Sequence, residues 1–280
     1  MNAHLRTLDS DNAVLSPQIG GNDAQPHHVG ALIINADDFG RDRENTQRIL
    51  ECIAGGGISS VSAMVFMEDS ERAAAIARER GIDAGLHLNL TTPFSQTAPA
   101  LLREHQQRLA RYLGRHRLAR LVFHPGLAGS FEYVVRKQLD EFNRIYGNPP
   151  ARIDGHHHMH QCANVLIARL LPAGTIVRRN FSFQPGEKSW ANRTCRHVMD
   201  RMLARRHRLT DHFFSLAPVE LASRLERIFS LAQESIVEVE THPINLAEYR
   251  FLSRGEIFRL PGNLSVARYF ACRQNERAAF

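Results

Sequence analysis

The sequence predicts an α/β fold: a TIM-barrel-like, incomplete (β/α)7 barrel that forms a single domain. Seven short runs rich in apolar residues begin near residues 31, 58, 82, 152, 175, 211 and 235. Segments with helical periodicity separate most of these runs, and this alternation is typical of a parallel sheet. Seven such units in one chain favour a barrel over a doubly wound open sheet.

The first predicted strand ends in two adjacent acids. The apolar run at residues 32–34 leads into Asp37 and Asp38, and Gly40 then breaks the pattern. A short apolar run of this kind is typical of a buried parallel strand, and α/β folds keep their chemistry at the carboxyl ends of strands. Side chains alternate along a strand, so both acids face the same way only if the chain bends there.

The remaining elements follow in order along the chain. Further strands are predicted at 58–65, 82–88, 152–155, 175–178, 211–214 and 235–240. Helices are predicted at 43–54, 69–81, 130–146, 165–171, 190–207 and 219–232, with another from residue 248 onward. Asp42 is a candidate cap for the first helix, and the glycines at 55–57 end it.

Domain organisation is predicted to be simple. Residues 1–29 lack sustained periodicity and are expected to form a flexible tail, and residues 30–280 are expected to form the barrel domain. Residues 92–127 contain a polar, Arg-rich helical stretch at 101–122 and are interpreted as an insertion or a lid over the site.

Composition limits the class of protein. The chain has 280 residues, 43% of them hydrophobic, and no apolar run approaches the length of a membrane span. The first 29 residues lack the pattern of a secretory signal, so we expect a cytoplasmic protein. The net charge of +6 comes almost wholly from arginines spread over many segments, which favours solvated surfaces over a nucleic-acid partner. The four cysteines form no C-x-x-C pair and are expected to be reduced.

Histidines collect at the carboxyl ends of three other predicted strands. They are His87, four histidines within residues 156–160, and His242. A barrel brings such strand ends to one mouth. One Asp and two His form a three-ligand set typical of a catalytic zinc site, which lowers the pKa of water and polarises a carbonyl. The other Asp could then accept a proton and a histidine could donate one to a leaving amine. This inventory indicates metal-assisted hydrolysis of an amide or an ester.

Two details stay open at this level. His156 and His160 are spaced i, i+4, so both face one metal if a helix starts immediately, whereas in a loop only one need be a ligand. Asn89 and Thr91 follow the third strand and serve either as polar groups at the mouth or as parts of a turn.

Four motifs in order resemble the signature series of the YdjC-like carbohydrate deacetylases, a family that includes chitooligosaccharide deacetylases and relatives linked to hopanoid biosynthesis. They are Asn35–Gly40, Gly85–Thr91, Ile153–His160 and Glu240–Pro243. The resemblance runs from about residue 31 to residue 250. It implies a TIM-barrel-like fold, one divalent metal ion (Mg or Zn) and hydrolysis of an N-acetyl group on an amino sugar.

The resemblance also implies roles for individual residues. Asp38, His87 and His156 would be the metal ligands, Asp37 the general base and His242 the general acid. His160 then becomes a substrate-binding group or a group behind the ligands. Independently of the resemblance, Asn89 at the mouth and Arg178 near a strand end complete the candidate substrate-binding residues.

Three functions therefore compete. The first is metal-dependent removal of an N-acetyl group from an amino sugar, oligosaccharide or glycolipid head group. The second is a metal-dependent phosphoesterase in which Arg178 and Arg179 hold phosphate. The third is a non-catalytic metal- or nucleic-acid-binding protein. The first is favoured, with an acetylated sugar as the partner, no nucleic acid, no integral membrane segment and a homodimer as the expected assembly.

Overall fold

Seven parallel strands form one sheet in a computed structural model that describes residues 30–115, 118–183, 187–259 and 266. The predicted tail at 1–29 lies outside the described residues. The strands are β1 Ala31–Phe39, β2 Ser60–Ala63, β3 Ala84–Leu88, β4 Arg152–Gly155, β5 Ile176–Val177, β6 His212–Ser215 and β7 Ile236–Thr241. Their order across the sheet is β5-β4-β3-β2-β1-β7-β6, so β1 is central and β5 and β6 are the two ends.

The two ends of the sheet approach each other. The Val177 amide donates to the Arg208 carbonyl at 2.9 Å, and the Ser182 amide donates to the Phe213 carbonyl at 2.8 Å. The sheet therefore curls into a barrel whose β5–β6 seam carries a few hydrogen bonds and no regular ladder. The predicted fold, an incomplete (β/α)7 barrel, is confirmed.

Helices occupy most of the connections. They are α1 Arg43–Ala54, α2 Ser70–Arg80, α3 Ala100–Leu113, α4 Ala128–Tyr146, α5 Ala163–Ile167, α6 Trp190–Ala204, α7 Ala222–Leu231 and α8 Leu246–Ser253. Asp42 caps α1 by accepting a hydrogen bond from the Asn45 amide at 2.8 Å. None of the helices in the described part of the chain is long and apolar enough to cross a membrane.

Some element boundaries differ from the predictions. The stretch at 101–122 is not one helix, because α3 ends at Leu113 and a 3-10 turn follows at Ala119–Leu121. α5 stops at Ile167, short of the predicted residue 171, and Arg169 then adopts a φ of 54°, a left-handed conformation typical of helix ends. β1 includes both acids, as predicted, and continues one residue past them to Phe39.

The barrel interior is polar and its outer layer is apolar. Alternate residues of β1 (Leu32, Ile34 and Ala36) pack in the apolar core with the helices. The intervening Asn35 points to the other side, where its side chain bonds Ser60 at 2.9 Å and Ser62 at 2.8 Å. Burial of each large apolar side chain contributes about 1.5–3 kcal/mol. Buried polar groups need partners, so this interior must be a connected network.

Glycine is required at position 85 on β3, because the side chain of Arg152 fills the space that a Cβ would occupy. A Cβ at this position would lie 2.5 Å from Cγ of Arg152. The Arg152 guanidinium is buried and donates to the Asp83 carboxylate and to the Val61 carbonyl, both at 2.7 Å. No side chain fits between β3 and this arginine.

We expect Gly85→Ala to lower the free energy of unfolding by about 1–3 kcal/mol, because the added methyl group overpacks the site. Gly129→Ala is the matched control, since nothing lies within 4 Å of a Cβ there and the position is in α4. The control should be neutral or up to about 1 kcal/mol more stable. Urea unfolding measures both, and equal stabilities would contradict the packing argument.

Candidate functional site

The two acids of β1 reach the same space because the strand bends between them. Asp38 adopts a φ of 66°, and the pairing of β1 with β2 shifts register between Ala36 and Phe39. A bulge of this kind re-aims side chains at the end of a strand. As a result Asp37 Oδ2 lies 4.0 Å and Asp38 Oδ1 3.4 Å from the same atom, Nε2 of His87. The bend that the sequence required for a shared site is present.

Asp38, His87 and His156 form a compact buried cluster. Nδ1 of His156 lies 2.9 Å from Asp38 Oδ1, and one potential ligand atom from each residue lies within 4.8 Å of the others. These close contacts lack hydrogen-bonding geometry, so neither His87 Nε2 nor Asp38 Oδ1 has a hydrogen-bond partner within the described structure. The other Asp38 oxygen accepts from Arg41 at 2.9 Å. These groups come from three different strand ends, and together they could hold a metal ion.

The histidine run forms a kinked 3-10 turn instead of an α-helix. His157 and His158 both have left-handed backbone conformations, with φ of 54° and 57°. The turn places His156 beside Asp38 and directs His160 away from that cluster. His160 is buried, and its Nε2 lies 3.0 Å from the carbonyl of Arg178. Of the two open alternatives, only His156 meets Asp38 and His87.

Asp154 orients His87 from behind. Its Oδ1 lies 2.7 Å from His87 Nδ1, and Ser62 on β2 donates to its Oδ2. A carboxylate on one imidazole nitrogen fixes the tautomer and directs the other nitrogen outward, as at many metal-binding histidines. Sequence reasoning did not assign Asp154 a role. The available signal was an acid on a short strand directly before the histidine run.

Arg178 lies at the centre of the buried charges. Its guanidinium contacts both oxygens of Asp37 at 2.7 and 2.8 Å and reaches Asp154 at 2.8 Å. It also contacts Glu238 at 2.8 Å and Glu240 at 3.4 Å, and the ring of Phe213 lies 4.9 Å from its Cζ. The two glutamates alternate with valines on β7, and this pattern could have indicated charged residues inside the barrel.

These charges shift the ionisation of the cluster. Burial alone would raise the pKa of Asp37, but the positive charges of Arg178 and His87 outweigh it and hold that pKa below its usual range. Burial lowers the pKa of His87, whereas Asp37 and Asp154 raise it, with a net result of about 10. The electrostatic potential at the His87 side chain therefore favours positive charge.

His242 follows β7 at the open side of the site. Its Nε2 lies 3.9 Å from Asp37 Oδ2, and its side chain is 37% exposed. Its backbone amide donates to Glu248 at 2.9 Å, and Thr241 donates to the same carboxylate oxygen at 2.7 Å. Glu248 thus fixes the segment that carries His242 while the imidazole faces solvent.

The three predicted substrate-binding residues are buried. Asn89 shapes the turn after β3, because it accepts from the amides of Thr91 and Thr92 and donates to the Thr92 carbonyl. Arg178 is 2% exposed, and Asn89 and His160 are fully buried. All three have partners inside the protein, and direct contact with a substrate stays a prediction.

We expect Arg178→Met to lower the free energy of unfolding by about 3–5 kcal/mol, because it leaves several buried carboxylates without their cation. Arg144→Met is the control, since Arg144 pairs with Glu71 and Glu141 at the surface, where such pairs contribute about 0–1 kcal/mol. Denaturant unfolding compares the two variants. Similar small losses would show that the buried network contributes little.

Comparison with known proteins agrees with the resemblance. The family model of the YdjC-like proteins matches residues 31–250. A chitooligosaccharide deacetylase from Serratia marcescens is 34% identical over 131 residues, which cover 46% of this chain and 50% of that protein. A carbohydrate deacetylase from Danio rerio is 30% identical over 161 residues, which cover 55% of this chain and 50% of that protein. The chain thus spans about half the length of the curated relatives it matches.

A solved structure shares the fold. It is named as a candidate cellobiose-phosphate cleavage protein from Enterococcus faecalis V583, and it matches with a TM-score of 0.59 and 20% identity. The match covers 83% of this chain and 94% of the other. At this identity the likeness shows the architecture alone. With the family match extending from β1 to α8, the chain belongs to the YdjC-like protein family.

Proposed function

We propose that this chain is a metal-dependent hydrolase that removes an N-acetyl group from an amino sugar, an oligosaccharide or a glycolipid head group. The observation that carries the proposal is the cluster of Asp38, His87 and His156, whose unpartnered atoms converge beside a second acid and an exposed histidine. The names of two relatives, a chitooligosaccharide deacetylase and a carbohydrate deacetylase, support this substrate class.

The residues of the cluster fit one divalent metal ion. Two imidazole nitrogens and one carboxylate oxygen are a ligand set typical of catalytic zinc, whereas magnesium prefers oxygen ligands. The buried, unpartnered His87 Nε2 and Asp38 Oδ1 are the donors such an ion would satisfy. When bound, the ion supplies Lewis acidity, which lowers the pKa of water and polarises a carbonyl.

The neighbouring groups suit the proton transfers of amide hydrolysis. Arg178 binds both oxygens of Asp37, so it keeps this carboxylate ionised and fixed in orientation. We infer that Asp37 accepts a proton from the attacking water. His242 Nε2 lies 3.9 Å from Asp37 Oδ2, and the His242 side chain is 37% exposed. From there its imidazole can donate a proton to the departing amine.

The phosphoesterase alternative gains no support from the two arginines that suggested it. Arg178 is buried and occupied by carboxylates. Arg179 contacts Asp200 at 3.1 Å and the backbone carbonyls of Thr210 and Asp211. A second candidate metal group among the described residues, Asp37 with His87 and Asp154, shares His87 with the first. One metal ion per chain is therefore expected, and two would favour the phosphoesterase.

We expect Asp38→Ala or His156→Ala to abolish metal binding, because each removes one of three ligands. His157→Ala is the matched control, since this exposed neighbour contacts Thr91 at 2.9 Å and lies outside the cluster. Metal content after reconstitution with zinc or magnesium, measured by elemental analysis, separates the cases. Undiminished metal in either cluster variant would refute the ligand assignment.

We expect metal-reconstituted protein to release acetate from N-acetylated sugars, with the release lost on chelation and restored by metal. Asp37→Asn should retain the metal and lose turnover by roughly 10² or more, the usual size of lost acid–base help. The assay covers monosaccharides, chitooligosaccharides and glycolipids. Full activity of Asp37→Asn would refute its role as base, and no acetate from any substrate would overturn the proposed reaction.

A further inference from the structure

Helix α6 exposes an apolar stripe. Ala191, Cys195, Val198 and Met202 recur at i, i+4, i+7 and i+11, which places them along one side of the helix. All four are exposed, Val198 by 50% and Met202 by 43% of its surface. The barrel helices normally turn such a stripe toward the sheet. In α6 the apolar stripe is exposed instead, and a different side of the helix, which includes Leu203, is buried.

The stripe continues across a cavity onto the 3-10 turn that follows α3. Cys195 and Met199 of α6 line this cavity of about 140 Å³ together with Leu121 of the turn. Leu118 and Val122 beside Leu121 are exposed by 62% and 54%. We name the exposed side of residues 190–205 together with residues 118–122 the α6 face. His158 also lines the cavity, and its Nε2 lies 3.8 Å from Glu240, so the α6 face borders the mouth of the barrel.

The charge around this apolar surface is positive. Arg120, Arg201 and Arg205 are exposed, and no ion pair joins them to a carboxylate within the described part of the chain. Asp200 is the one acid of α6, and it is buried against Arg179 and Asn180. An exposed apolar stripe flanked by arginines without exposed acids is typical of helices that lie in a membrane interface.

The first residue of α6 fits the same environment. Trp190 is 74% exposed and is the single tryptophan of the chain. Tryptophan is favoured at the boundary between lipid and water, where its ring is apolar and its N–H remains hydrated. Its position at the start of α6 places it at an end of the α6 face.

We propose that the α6 face docks the protein on the surface of an anionic phospholipid bilayer. Charge decides between this surface and a second copy of the chain. Two copies packed through this face would bring arginines together, whereas anionic head groups attract each arginine near the surface. Such docking is peripheral, and it would hold the mouth of the barrel near lipid head groups. The proposal does not depend on the reaction proposed above.

The test is binding of the full chain to vesicles, measured by sedimentation and by the fluorescence of Trp190. We expect binding to vesicles that contain phosphatidylglycerol and much weaker binding to pure phosphatidylcholine. Bound protein should show tryptophan emission at shorter wavelength, because the ring leaves water. Added salt should weaken the binding.

Two double variants test separately how apolar contact and positive charge contribute to vesicle binding. Val198→Gln with Met202→Gln removes apolar contact without a change of charge, and Arg201→Glu with Arg205→Glu reverses charge, so each should weaken vesicle binding by at least about tenfold. Arg78→Glu with Arg80→Glu makes the same charge change on exposed positions of α2 and should bind within about twofold of the unaltered protein. All six positions are exposed, and far-UV circular dichroism checks that the variants fold.

Three results would overturn the proposal. The first is no sedimentation of the unaltered protein with anionic vesicles. The second is sedimentation with unchanged Trp190 emission, or equal loss in the α2 variant, since binding would then use another surface. The third is a dimer that Val198→Gln with Met202→Gln converts to a monomer, without vesicle binding, since the α6 face would then join two copies.

Discussion

Burial of charge is the constraint on which the rest of this structure depends. A single guanidinium, that of Arg178, lies within hydrogen-bonding or ion-pair distance of Asp37, Asp154, Glu238 and Glu240 inside the barrel. Isolated charges are costly to remove from water, so each of these acids requires that cation or another partner. Burial raises the pKa of Glu238 to about 7 even with Arg178 beside it. The strands must hold this arrangement in register, and the same arrangement positions Asp37 and, through Asp154, His87.

The sequence was sufficient for the frame of the site. Apolar runs alternating with helical segments predicted seven parallel strands, and acids and histidines at strand ends predicted one shared mouth. Asp38, His87 and His156 do meet there. These inferences succeeded because strand ends converge in a barrel whatever the details of its packing.

The sequence did not predict how Asp154 and Arg178 support the cluster. Asp154 and Arg178 act through contacts between residues far apart in the chain, and their positions in the sequence do not show which groups they contact. The sequence also does not predict the left-handed backbone conformations of Asp38, His157 and His158, because residues other than glycine seldom adopt them. They depend on the surrounding structure, and they decide which histidine of the run reaches the cluster.

The barrel is closed at the β5–β6 seam by isolated backbone hydrogen bonds, whereas its other neighbouring strands pair in regular ladders. β1 is paired with both β2 and β7, and β3 is paired with both β2 and β4. β5 has two residues, and its link to the β6 side is a few isolated hydrogen bonds. Local opening starts where such bonds are few, so amide hydrogen exchange should be faster at the seam than in β1. Arg178 directly follows β5, so its contacts with Asp37 on β1 and Glu238 on β7 tie this loosely paired wall to the wall that carries the cluster.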